Sequence, residues 1–146
     1  MIDFYGLPSD FPGLAELPQH ANSLRKVGHL EKAWSLNLEN RRFLPYLSLH
    51  EFEALLLAGP EELSAVLGMG SAARKVLAGL FQDRAPEEIN DGKDTHPAAR
   101  ILNLAPGFQK SLDGPVAAQR IGLEAMRRRC PHFDGWLAKL EEVARS

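Results

Sequence analysis

Apolar residues recur at three- and four-residue spacing along most of this chain, a pattern that predicts a mainly helical protein. After Asn22-Ser23, either of which accepts from a free helix N–H, residues Leu24, Val27, Leu30, Trp34 and Leu38 share one face. A second helix is expected at Ser48, because Ser48 and Glu51 have capping-box spacing, with Phe52, Leu55 and Leu56 facing the core and Gly59 ending the run. Pro60 suits the first position of a third helix, with Glu61 and Glu62 in its first turn and Leu63, Val66 and Leu67 inside. Gly68 and Gly70 should stop it, and Ser71 should cap a fourth carrying Ala73, Val76, Leu77, Leu80 and Phe81.

Beyond the polar connection 85–95, Thr95 is the expected cap of a helix from Pro97 to about Leu104. Asp113-Gly114-Pro115 opens the next, which carries Val116, Ile121, Leu123 and Met126 inward and ends in Arg127, Arg128 and Arg129. Pro131 starts the last, with Phe133, Trp136, Leu137, Leu140 and Val143 on its inner face.

Two stretches read differently. Ile2, Phe4 and Tyr5 favour a strand before the breakers Gly6 and Pro8, and Phe43 to Leu47 gives a second strand in which Pro45 is suited only to a start or an edge. Strand, long helix, strand is the order of a parallel crossover. The expected class is therefore α/β but predominantly helical, with about two short parallel strands and roughly six to seven helices.

Composition narrows the classes. The 146 residues, 45% hydrophobic, suffice for one domain over residues 1–146. A formal charge of -2 leaves no global basic field, so nucleic acid would have to be met by a local patch or a metal ion. Cys130 is the one cysteine, which excludes an intrachain disulfide and a cysteine-rich zinc site and makes a cytoplasmic location natural. No apolar run approaches the ~18 residues of a membrane span. The metalloprotease, nucleophile-elbow and phosphate-loop motifs are all missing.

The candidate chemistry lies in His50, Glu51 and Glu53. Glu51 and Glu53, two apart on a helix, point about 200° apart and cannot both face one site from the helix interior. Glu51 has a local role as the return partner of the Ser48 cap; Glu53 has none, and His50 shares its face at three-residue spacing. Asp3 ends the first strand, where ligand groups gather in parallel sheets, and carboxylates so placed suit Mg2+ or Mn2+. Asp91 reads first as a turn residue and Arg100 and Lys110 as solvated groups, with a phosphate or partner contact as the functional alternative for all three.

Five stretches, in order, resemble an uncharacterised bacterial family of unknown function: Asp3-Phe-Tyr-Gly-Leu-Pro8, Pro45 to Leu57, Ile89-Asn-Asp-Gly92, Gly114-Pro115 with Ile121-Gly-Leu-Glu124, and Cys130-Pro-His-Phe133 with Trp136. That family looks like a Toprim-related group, similar in its core to the nuclease part of overcoming-lysogenization-defect proteins, with genes that accompany ATPases in phage-defence settings. The resemblance implies a partial Toprim-like core, divalent-metal-dependent phosphodiester chemistry and nucleic acid or an ATPase as partner. Asp3 then matches the aspartate strand and Glu53 the later carboxylate, with His50 and Glu51 beside it; Asp3, Glu53 and Glu51 would hold Mg2+ or Mn2+. The chain departs from that pattern in three places. It carries no upstream glutamate-bearing strand, Tyr5 stands where a second aspartate is usual, and Ala99 where a basic residue is frequent. The expectation is the C-terminal portion of a longer domain with an incomplete active site, or a non-catalytic module that partners an ATPase, with an open sheet edge that favours a homodimer.

Overall fold

The computed structural model describes residues 2–40, 42–49, 52–80, 85–88 and 96–145. His50, Glu51, Asp91, Phe81 and Thr95 lie outside the described residues. Among those described are two short strands, β1 (Ile2–Asp3) and β2 (Leu47–Ser48), and eight α-helices. The class is the expected predominantly helical α/β. The chain divides into two compact units, Met1–Leu49 with Gly135–Ser146, and His50–Asp134.

In the first unit β1 and β2 pair in parallel, Ile2 opposite Leu47 and Asp3 opposite Ser48, and the Ile2 N–H donates to the Tyr46 carbonyl at 3.2 Å. The second strand is shorter than Phe43 to Leu47 and displaced along the chain, which leaves Pro45 outside the ladder that it could not feed. Helix α1 (Ser23–Leu38) begins as its cap predicts, Asn22 Oδ1 accepting from the Arg25 N–H at 3.0 Å. Val27 and Leu30 of α1 are fully buried with Leu47, Leu49 and Phe11, and Phe4, Leu7, Leu14, Leu17, Leu24 and Trp34 close over them. Trp34 meets Phe11 and Phe43 edge-on, at centroid separations of 5.2 and 4.8 Å.

One polar group holds the strand to the helix: Glu31 Oε1 on α1 accepts from the Leu47 N–H at 2.8 Å, satisfying a strand donor that lies against a buried cluster. Trp136, from the part of α8 (Pro131–Arg145) that belongs to this unit, donates its indole N–H to the Leu44 carbonyl at 3.2 Å and lies 5.0 Å from the Tyr46 ring.

The second unit is built on α2 (Glu53–Leu56), a single turn whose four residues are all buried and which packs against α5 (Pro97–Leu104), α6 (Lys110–Ile121) and a 3₁₀ turn, Pro86–Glu88. This helix starts later than the capping box predicts. Ser48 lies in β2, and Phe52, without a side-chain cap bond, stands at the helix start.

Helix α3 (Pro60–Val66) takes Pro60 at its first position, and its end is a Schellman turn. Gly68 has φ +61, its N–H reaches the Ala65 carbonyl at 3.4 Å, and the Met69 N–H reaches that of Ser64 at 2.9 Å. Helix α4 (Ser71–Gly79) is preceded by Gly70 rather than capped by Ser71, and α5 takes His96, whose Nδ1 accepts from the Ala99 N–H, as its cap.

Residues 110–129 form two helices rather than one. Helix α6 begins at Lys110, ahead of the expected Asp113-Gly114-Pro115 opening, because Asp113 Oδ2 folds back to accept the Gln109 N–H at 2.7 Å and so closes the first turn. Gly122, at φ +77, then separates α6 from α7 (Leu123–Arg129), whose last turn carries the three arginines. Helix α6 packs on α3 and α2, and Gly114 and Gly59 make close approaches: a Cβ would stand 3.1 Å from the Phe52 ring at the former and 2.7 Å from the Ile121 side chain at the latter. Six residues on the expected apolar faces are exposed instead: Leu38, Val76, Val116, Leu123, Leu140 and Val143. No described helix is long and apolar enough to cross a membrane.

Candidate functional site

Asp3 and Glu53 fall in different units and different surroundings. Asp3 is exposed at the end of β1, opposite the buried Ser48. Glu53 opens α2 and is 1% exposed. A carboxylate that deep needs a compensating charge. Lys110, the first residue of α6, supplies it: its Nζ stands 3.0 Å from Glu53 Oε2. The lysine itself stays half exposed, so the pair joins a sunken anion to a cation that solvent reaches.

The sequence marks Glu53 as a metal ligand and Lys110 as a solvated group or a phosphate or partner contact, and nothing in their spacing pairs them. His50 and Glu51, its expected companions, and Asp91 lie outside the described residues. Arg100 is half-buried on α5.

A second polar site was not foreseen. Glu87, in the 3₁₀ turn Pro86–Glu88, is 3% exposed and holds the start of α8. Its Oε2 accepts from the His132 N–H at 2.9 Å and its Oε1 from the Phe133 N–H at 3.0 Å. Pro131 has no N–H to give, so Glu87 satisfies the next two free donors of the helix and places negative charge at the positive end of its dipole. The His132 Nδ1 lies 3.9 Å from the same carboxylate. Burial pushes the Glu87 pKa above its ordinary 4.5, against the two backbone N–H groups and His132, which pull it down; Glu88 adds to the rise.

Cys130, fully buried just before α8, has its thiol pushed up to about 12, by burial first and by Glu87 second, with Arg129 opposing. A thiol so held stays protonated and is no nucleophile at neutral pH. Asp134, in the first turn of α8, pairs with Arg127 of α7 and fixes the corner between the two helices.

Among the described residues no three His, Cys, Asp or Glu side chains converge as a metal ion would require; Glu51, one of the three expected ligands, lies outside them, and Glu53 faces the Lys110 ammonium group.

Neither curated proteins nor solved structures match this chain. A family model does, over residues 1–141, nearly the whole length, and its description is a domain of unknown function. The chain belongs to that family, DUF4276.

Proposed function

We propose that this chain handles a phosphodiester backbone, as the resemblance to Toprim-like nucleases implies, and that Lys110 is one of its phosphate contacts. The observation that carries the reading is the Glu53–Lys110 pair. A buried carboxylate fixes one end of a lysine whose side chain remains half exposed, which holds a cation in place for an anion arriving from solvent. In this reading Glu53 acts as the positioning residue for Lys110 rather than as a metal ligand.

The test is binding of fluorescent DNA and RNA oligonucleotides by the full chain across a salt series, with cleavage followed in Mg2+ and Mn2+ as a separate readout. Lys110→Ala should weaken binding and lower the salt slope by about one, while Lys110→Arg keeps it. Because Lys110→Ala alone strands the buried Glu53, the double variant Glu53→Gln with Lys110→Ala serves as the second arm and should show the same slope. An unchanged slope in both, or no salt-dependent binding by the wild type, refutes the reading.

A second reading, a non-catalytic module that docks on an ATPase, is favoured by a different observation. Leu112 and Val116 are exposed one turn apart on α6, an apolar pair on a single face. Leu112→Ser with Val116→Ser should then abolish co-sedimentation with a partner ATPase and leave oligonucleotide binding intact. Retained co-sedimentation counts against it.

A further inference from the structure

Helices α3 and α4 face one another across the Gly68 turn and enclose a groove of about 340 Å³. That is the low end of the range of ligand sites, ~300 Å³ and upward, and suits a molecule the size of an amino acid. Its two walls differ in kind. On α4 stand Arg74 and Lys75, which only donate hydrogen bonds; on α3 stand Glu61 and Ser64. Ser64 gives its hydroxyl proton to the Pro60 carbonyl at 2.6 Å, so its oxygen offers lone pairs alone, as the Glu61 carboxylate does.

On the cationic wall, Arg74 is also fixed in place. Arg74 Nε donates to the Met69 carbonyl at 2.8 Å, and Met69 is itself buried and tied by its N–H to Ser64 through the Schellman turn. With Nε so used, the two Nη groups keep the fork that matches a carboxylate or phosphate. Among the described residues Glu61 pairs with neither Arg74 nor Lys75, although all three line the same groove. Opposite charges thus stand on facing walls with a ligand-sized space between them.

We propose that the groove between α3 and α4 binds a small zwitterion, with its oxyanion end on Arg74 and Lys75 and its ammonium end on Glu61. This site stands independently of the Lys110 reading. The chemistry shared by candidate ligands is one carboxylate or phosphate group and one ammonium group a few bonds apart.

The experiment is an amide NMR titration of the full chain with phosphoethanolamine, β-alanine, inorganic phosphate and ethylammonium as separate probes. At least one zwitterion should shift residues of α3 and α4 saturably, binding about tenfold more tightly than either singly charged probe. Whichever zwitterion binds better identifies the oxyanion as phosphate or carboxylate. Glu61→Gln should cost the zwitterion about tenfold and leave inorganic phosphate unweakened, whereas Lys75→Gln and Arg74→Gln should weaken both. All three positions are exposed, and Lys75→Gln removes no described bond, so it keeps the test open if Arg74→Gln disturbs the turn. No saturable shift with either zwitterion, or a zwitterion affinity unaffected by Glu61→Gln, overturns the proposal.

Discussion

Removing the Glu87 carboxylate should loosen the start of α8. The group accepts two backbone N–H bonds, at 2.9 and 3.0 Å, in a nearly sealed position. Glu87→Ala leaves both N–H groups of His132 and Phe133 without that acceptor. Loss of a helix cap costs about 1–2 kcal/mol and a stranded buried donor about 1–3, but the burial cost of the carboxylate disappears with it, so a net loss of about 2 kcal/mol is expected. Glu87→Gln keeps one acceptor oxygen and turns an NH2 toward the other donor, for a loss of about 1 kcal/mol.

Native-state hydrogen exchange at the His132 and Phe133 amides reads this locally, and about 2 kcal/mol corresponds to roughly 30-fold faster exchange. The pH dependence follows from the direction of the shift. With the folded pKa above the ordinary 4.5, the contribution of Glu87 to stability is fully present below about pH 4.5 and is lost as pH rises through the raised value. Glu87→Gln has nothing to titrate there, so the advantage of the wild type over that variant should narrow with rising pH. Wild-type exchange rates in Glu87→Ala, or an advantage that widens as pH rises, would refute the account.

Two further outcomes follow from the fold. With its thiol raised to about 12 and fully buried, Cys130 should resist iodoacetamide in the folded chain at neutral and mildly alkaline pH and react at once in denaturant; ready alkylation of the folded chain would contradict its burial. Gly68→Ala should cost about 1 kcal/mol in urea unfolding, since φ is +61 but nothing lies within 4 Å of the added Cβ. Gly13→Ala should cost more, because φ is +81 and the new Cβ would stand 2.6 Å from that of Ala33; equal costs at the two sites would mean that the close approach is relieved freely.

What the sequence determined by itself was local. Asn22 as a cap, Pro60 as a first helical residue, Gly68 as a stop and the arginine run as a helix end all act within a few residues of where they stand, and each does so in the structure. The same local logic failed where two local uses competed. Ser48 has the spacing of a helix cap, yet its backbone pairs with β1 and the described helix opens only at Glu53. Pro115 looks like a helix opening, but Asp113 reaches back to Gln109 and starts the helix before it.

The polar sites belong to tertiary structure. Glu53 stands out in the sequence as a carboxylate without a local partner, yet only the packing of α2 against α6 brings it to Lys110. Glu87 carried no signal, since its partners are backbone N–H groups 45 and 46 residues onward, and an amide donor looks the same in every residue but proline. Spacing along a chain encodes contacts made within a turn or a hairpin, whereas the worth of a charge depends on burial and on what stands across from it, and these are set only when the helices pack.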